Sequence, residues 1–305
     1  MTLKPPPLPS APKPALPDPR VTAWRADLAA KELQGTVDAP RYVAGTPAQV
    51  AWPLVPLRRN PVAAAGLDTE LLFGELVSVY DVAEGWSWVQ AERDRYVGYV
   101  PSAALQAPTA TATHTVSALG TFVYPVADIK APPLTMLSIG ALIAITETQD
   151  RFSRLATGGF VINRHIVELA RPARDFVEIA ERFIGTPYLW GGRSRLGLDC
   201  SALVQLSMQA AGALVPRDTD MQERAIGHRV SVPRNLDGLE RGDLVFWKGH
   251  VGIMLDGVMM VHANAHHMAV AAETLHDAAT RIAKIGSSIT SVKRVTAVAT
   301  VRALI

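Results

Sequence analysis

The hydrophobic pattern of this chain changes character near residue 172, and that break sorts it into two kinds of folding unit. From about residue 43 to 107 the apolar residues fall in short aromatic and β-branched runs: LLFGELVSVYDV, WSWVQAE and YVGYVP, with Glu84-Gly85 and Asp94-Arg95 between them. Such runs, punctuated by turn residues, predict strands. A second stretch of the same kind follows from about 113 to 170, with GTFVYPV, GALIAITETQD, FSRLAT and GFVINRHIVEL. Segments of about 60 residues holding four or five short strands predict two small barrels. Ahead of them, VTAWRADLAAKELQG at 21–35 is rich in helix formers and ends on Gly35, which predicts a helix. The first twenty residues, MTLKPPPLPSAPKPALPDPR, carry too much proline for helix and favour an extended arm.

After residue 172 the period becomes helical. Phe176, Ile179, Ala180, Phe183 and Ile184 form one apolar face, with Asp175 at its start and Gly185 and Pro187 ending it. In GTPYLWGGRSRLGLDCSALVQLSMQAAG, Leu203, Leu206, Ser207 and Ala210 recur at helical spacing and Gly212 stops the helix. Asp199 then occupies the N-cap and Cys200 the first turn. Further on, RGDLVFWKGHVGIMLDGVMMVHANAHHMAVAAETL reads as consecutive antiparallel strands, 244–247, 251–255 and 259–263, with Asp256-Gly257 as a hairpin signal.

Cys200 is the chain's single cysteine, so no intrachain disulfide exists and one thiol needs a purpose. A lone cysteine is by default a small buried hydrophobe. At a helix N-terminus, however, the aligned peptide dipoles favour an anion, which predicts a lowered thiol pKa and more thiolate, the nucleophilic form. A thiolate nucleophile wants a histidine that takes and returns its proton. Of eight histidines, His250 and His262 lie in the strand region after the cysteine. A two-residue loop at Asp256-Gly257 would set these rings on opposite faces, whereas an odd loop would make them a diagonal pair about 7–8 Å apart at the backbone. If His262 orients His250, the loop is odd or a bulge intervenes.

Other function classes fit poorly. The net charge is only +2, with lysine and arginine scattered, so no nucleic-acid stripe exists. No apolar run approaches the roughly 18–20 residues of a membrane span. His262, His266 and His267 are a conceivable metal cluster, but one cysteine and no acidic residue at ligand spacing speak against it, so neither metal nor cofactor is expected. The N-terminus lacks the apolar core of a secretory leader, which gives a cytoplasmic expectation.

GTPYLWGG followed by DCSALV, then RGDLVFW, GHVGI and VHA, resembles the NlpC-type cell-wall cysteine peptidases over about residues 172–275. The Gly-Trp turn and Gly-Tyr-Val-Pro ending in the first β-region resemble bacterial SH3-like domains. The resemblance implies an α+β chain: a papain-like catalytic domain, helices packed on an antiparallel sheet, preceded by two small SH3-like β-barrels. Its division would be an arm and short helix (1–42), first barrel (43–107), second barrel (108–171) and peptidase (172–305). It also implies Cys200 as nucleophile, His250 as base and His262 as orienting residue, with Tyr188 a candidate oxyanion donor. Two SH3-like domains ahead of such a peptidase resemble the γ-D-glutamyl-L-diamino acid endopeptidases, which recycle peptidoglycan stem peptides bearing a free N-terminal L-alanine. In that subgroup the first barrel closes one end of the cleft. By this resemblance Asp199 and Ser201 would contact the substrate, and Glu75 and Tyr96 would face it from the barrel, with Tyr99 the alternative to Tyr96. Two rivals are an inactive wall-binding protein, which needs a broken catalytic set, and a thiol acyltransferase, whose relatives place His before Cys.

Overall fold

A computed structural model describes residues 16–231 and 236–295. The prolines before residue 16 and the end of the expected peptidase unit, 296–305, lie outside the described residues.

The first β-region forms a seven-stranded antiparallel sheet in the order 105–106, 46–50, 76–83, 86–91, 97–101, 54–58, 67–72. It wraps Val50, Val55, Leu57, Leu71, Val77, Val89 and Val100, all buried. The turn residues behave as their chemistry dictates: Glu84 and Gly85 both take positive φ, which lets strands 76–83 and 86–91 reverse tightly. The next region, 113–168, is built of three small sheets around Val116, Val123, Leu137, Ile143, Leu155 and Val161.

Residues 21–35 are not the expected helix. They give two short strands, Trp24–Arg25 and Leu28–Ala30, and one 3-10 turn at Lys31–Leu33. Leu28, Ala29 and Ala30 are buried in succession, and a surface helix hides one face, not three consecutive residues. Packing against the barrel overrides helix propensity here. Arg20 ties the segment down through Asp218 and Asp220, 2.8 and 2.9 Å away, on the C-terminal half.

The C-terminal half, which holds the expected catalytic residues, packs helices on a six-stranded antiparallel sheet, ordered 228–230, 289–294, 244–247, 250–254, 259–264, 269–274. Helix α1 spans Phe176–Glu181, capped by the Asp175 carboxylate, which accepts from Val177 N at 2.8 Å. It ends earlier than its pattern suggests, and Ile184 is 50% exposed rather than on the buried face. Helix α2, Cys200–Ala210, is buried along nearly its whole length against Val251, Ile253, Val261 and Ala263 of the sheet. Two shorter pieces follow, α3 at Thr219–Ala225 and α4 at Leu275–Lys284. Among the described residues no helix is long and apolar enough to cross a membrane.

Candidate active site

Helix α2 starts where the chain can start a helix. Asp199 is extended and its Oδ1 accepts from Ala202 N at 2.9 Å, a side-chain N-cap. This puts the Cys200 thiol in the first turn, 7% exposed, where Val251 N–H donates to its sulfur. Val251 directly follows His250, so the same strand supplies both groups. Thr219 Oγ1, at the start of α3, lies 3.8 Å from Cys200 Sγ.

His250 is placed by a two-residue turn. Trp247 and His250 are partners across it, with Gly249 at φ +76°. His262 arrives from the next strand. The pairs Ile253↔Val261 and Met254↔Met260 leave five residues between the last paired positions, so the loop is odd. Continuing that register sets Gly252 across from His262 and makes His250 and His262 diagonal neighbours on one face. Gly252 has a local reason: a Cβ there would lie 2.8 Å from the Met260 side chain and 3.5 Å from His262 Cβ. The rings meet through His250 Nε2 and His262 Nδ1, 2.8 Å apart.

A relay that the sequence pattern did not suggest continues behind them. His262 Nε2 is 2.7 Å from Glu273 Oε1, and Arg281 of α4 donates to both Glu273 oxygens at 2.6 Å. Strand 259–264 pairs with 269–274 and α4 follows at once, which brings the carboxylate and guanidinium behind the imidazoles. Burial acts against ionisation of Glu273, yet the bonds from Arg281 and His262 outweigh it and hold its pKa at about 2. His262, His267 and Glu273 do bring donor atoms within 4.8 Å of one another. Arg281 saturates that carboxylate with a fixed positive charge, which argues against a cation there.

The resting thiol departs from the helix-dipole expectation. Burial, then the neighbouring Asp199 carboxylate, push Cys200 up to about 11. Burial, then His262 and Arg281, push His250 down to about 3. In a site this dry, desolvation outweighs the dipole. Burial thus favours neutral thiol and neutral imidazole at rest over a preformed thiolate and imidazolium.

The remaining expected site residues divide. Tyr188 packs partly buried on the core beside Cys200; burial, then the nearness of Cys200 and Asp199, raise its phenol to about 12. Asp199 and Ser201 are at the nucleophile but already engaged. Asp199 accepts from Gly191 N, Ala202 N and Ser201 Oγ and from both terminal nitrogens of Arg217, at 2.7–3.1 Å. Five donors fill a carboxylate's roughly four lone-pair sites. Asp199 therefore serves as cap and as counter-ion of Arg217, with no free valence for a substrate ammonium. Ser201 Oγ accepts from Arg217 at 2.8 Å while donating to Asp199.

Glu75 does not face the cleft. It is 1% exposed, with Oε1 against Arg193 and Arg93 and Oε2 accepting from Leu72 N. It fastens the barrel to the catalytic half. Tyr96, 5% exposed, does cross between the units: its hydroxyl donates to Asp218 Oδ2 at 3.2 Å. Tyr99 turns the other way and accepts from Arg25. Sequence reasoning missed Arg217, whose Nε donates to Thr69 of the barrel at 2.8 Å while its other nitrogens hold Asp199. It also missed Glu70, beside Thr69, whose Oε2 accepts from Arg193 N at 2.7 Å. An arginine directly after Val215-Pro216 was the available signal, since a charge in an apolar context asks for a partner.

Comparison with known proteins agrees with this geometry. Residues 185–284 match the model of the NlpC/P60 family, and residues 57–105 match that of a bacterial dipeptidyl-peptidase SH3 domain. The chain is 30% identical, over 65% of its length and 72% of the relative's, to a protein of Bacillus subtilis (strain 168) named gamma-D-glutamyl-L-lysine dipeptidyl-peptidase. It is 27% identical, over 76% of its length and 95% of the relative's, to dipeptidyl-peptidase 6 of Lysinibacillus sphaericus. A solved NlpC/P60 family protein from Bacillus cereus superposes with a TM-score of 0.68 at 19% identity, covering 82% of this chain and 99% of that one, a likeness of fold. The chain thus belongs to the NlpC/P60 family of cysteine peptidases, with an SH3-type domain ahead of the catalytic half.

Proposed function

We propose that this hydrolase cuts the bond between γ-D-glutamate and the diamino acid of peptidoglycan stem peptides that begin with a free L-alanine, a reaction of wall-peptide recycling. The observation that carries it is the buried Cys200 sulfur at the start of α2, bonded by the Val251 N–H on the strand of His250, in a site reached from the barrel by Tyr96 and Thr69. The names of the Bacillus relatives support the choice of bond.

The chemistry runs in two steps. As Cys200 Sγ attacks the γ-glutamyl carbonyl carbon, its proton passes to His250 and the carbonyl π electrons move onto oxygen. The oxyanion is stabilised by the Cys200 N–H at the start of α2. Collapse expels the diamino acid amine, which takes the proton from His250 and leaves a thioester. Water, deprotonated by His250, then frees the peptide acid and the thiol. Because thiol and imidazole rest neutral, His250 acts as a general base during attack.

A free N-terminal ammonium in a closed pocket needs a carboxylate without a cation of its own. Asp199 is taken by Arg217, and Glu75 by Arg193 and Arg93. Glu70 is 6% exposed, and among the described residues it has no salt-bridge partner. Burial raises its pKa above the usual carboxylate value, opposed by the Arg193 N–H and Ser194 and by the nearby charges of Arg193 and Arg217, neither of which pairs with it directly. Glu70 is therefore our candidate for the ammonium contact, with Tyr96 as its neighbouring wall, and residues 108–171 form a second SH3-like unit.

The test is mass-spectrometric cleavage of L-Ala-γ-D-Glu-meso-diaminopimelate against its N-acetylated form, with Cys200→Ala as control. Cleavage of the free-amine peptide alone, lost in Cys200→Ala and given a raised KM by Glu70→Gln, is expected. Equal cleavage of both forms discards the closed pocket, and cleavage of neither discards the substrate.

A further inference from the structure

We infer that Glu273, pinned by Arg281, is a positioning residue that fixes the tautomer of both histidines and so decides which nitrogen of His250 receives the thiol proton. The inference rests on the cysteine-peptidase reading and adds a carboxylate and a guanidinium behind its three catalytic groups.

The logic follows proton positions. Both Glu273 oxygens already accept from Arg281 at 2.6 Å, and an ionised carboxylate only accepts. The 2.7 Å contact with His262 Nε2 therefore requires a proton on that nitrogen. Neutral His262 then has a bare Nδ1, which must accept. Its partner at 2.8 Å is His250 Nε2, which must donate. His250 is left with its lone pair on Nδ1, the nitrogen not used in the relay. That nitrogen is the one able to take a proton from Cys200. Without the carboxylate His262 is free to carry its proton on Nδ1 and donate to His250 Nε2, which puts the His250 proton on Nδ1 and leaves no lone pair there for the thiol proton.

Arg281 has a separate effect. Its side chain is 27% exposed and that of Glu273 13%, so neither charge is fully screened. The pair is close to neutral overall, with the anion nearer to His262. Other titratable groups face the relay: His267, 3.9 Å from Glu273, Lys248 and His266 on the rim of the adjoining pocket, and Cys200 with Asp199 on α2. None of these reaches His262 Nε2 in place of Glu273. When His250 takes the thiol proton it becomes cationic. Glu273 favours that state and Arg281 opposes it.

The two substitutions are thus expected to act in opposite directions. Because Cys200 is the only cysteine, iodoacetamide alkylation reads its thiolate without any substrate. Glu273→Gln keeps the shape and leaves Arg281 unpaired. Because the thiol ionises beside a neutral His250, loss of the Glu273 anion should move the alkylation midpoint to lower pH by about one unit, while the cationic His250 formed during attack loses its support and kcat falls about tenfold with KM nearly unchanged. Arg281→Met leaves the anion alone, and the midpoint should move to higher pH. Glu273→Asp, which keeps the charge on a shorter arm, should recover part of the loss. Shifts of the same sign in both variants, or none in either, would overturn the inference, since mere loosening of the fold would move both alike. If the opposite shifts hold while no stem peptide is cut, the relay stands and the substrate assignment fails.

Discussion

Replacing Arg217 with methionine is the sharpest test of how the site is held together. Arg217 is 1% exposed and makes hydrogen bonds to Thr69, Asp199, Ser201 and the Gly192 carbonyl. Methionine fills much of the volume but removes the charge. Breaking a buried ion pair from one side costs about 3–5 kcal/mol, because the partner remains buried and uncompensated. Asp199 keeps the Gly191, Ala202 and Ser201 donors, which argues for the lower end, about 3 kcal/mol. With a urea slope of about 1–3 kcal/mol per molar, the midpoint should fall by roughly 1 M or more. Urea unfolding followed by exposure of the Cys200 thiol to a reagent reports the transition at the site itself. Adding Asp199→Asn to Arg217→Met should be less destabilising than the sum of the two single changes by at least about 1 kcal/mol. A midpoint shift below about 0.3 M, or strict additivity, would refute the coupling between Asp199 and Arg217.

Three further outcomes follow from the geometry. His250 and His262 have folded pKa values of about 3 and 4 against 6.5 when unfolded, so the unfolded chain binds more protons below 6.5. Stability should therefore begin to fall as pH drops through 6.5, with Glu273 adding its loss between about 4.5 and 2; a stability curve flat from pH 7 to 4 would contradict this. Gly191→Ala should destabilise by more than about 1 kcal/mol and reduce activity, since Gly191 has φ +75° and an added Cβ would sit 2.4 Å from the Leu67 carbonyl oxygen of the barrel. Tyr96→Phe should raise KM for the stem peptide while Tyr99→Phe leaves it unchanged, because only Tyr96 bonds to the catalytic half; equal effects in steady-state kinetics would show that this distinction is misplaced.

What the sequence discloses depends on how local its cause is. The strands and turns of the first β-region follow from alternation and from Gly85, and the cap at Asp199 from side-chain chemistry, so each is visible in a few residues. The register of the histidine hairpin is also legible, because parity allows only an odd loop if the rings are to meet without a bulge. Residues 21–35 mislead, because their strands exist only where the barrel and residues 42–43 accept them. Glu75 and Glu70 could not be told apart by pattern: they are near neighbours in the chain, and which one receives arginine side chains is decided largely by a loop more than a hundred positions away. The Cys200 pKa has the same origin. A helix dipole can be read from position, but dryness is a property of everything packed around the thiol.

The two hydrogen bonds that the barrel strand accepts, at Thr69 from Arg217 and at Glu70 from Arg193, give the chain a property of assembly. The guanidinium that neutralises the carboxylate beside the nucleophile is itself seated by a residue 148 positions earlier. The catalytic half is consequently not a cassette that can be lifted onto another protein with its active site intact. Cut away before residue 172, it would open Arg193, Arg217 and Asp199 to water together. Fusion or domain exchange in this lineage would have to carry the barrel along with the peptidase, as one unit of inheritance.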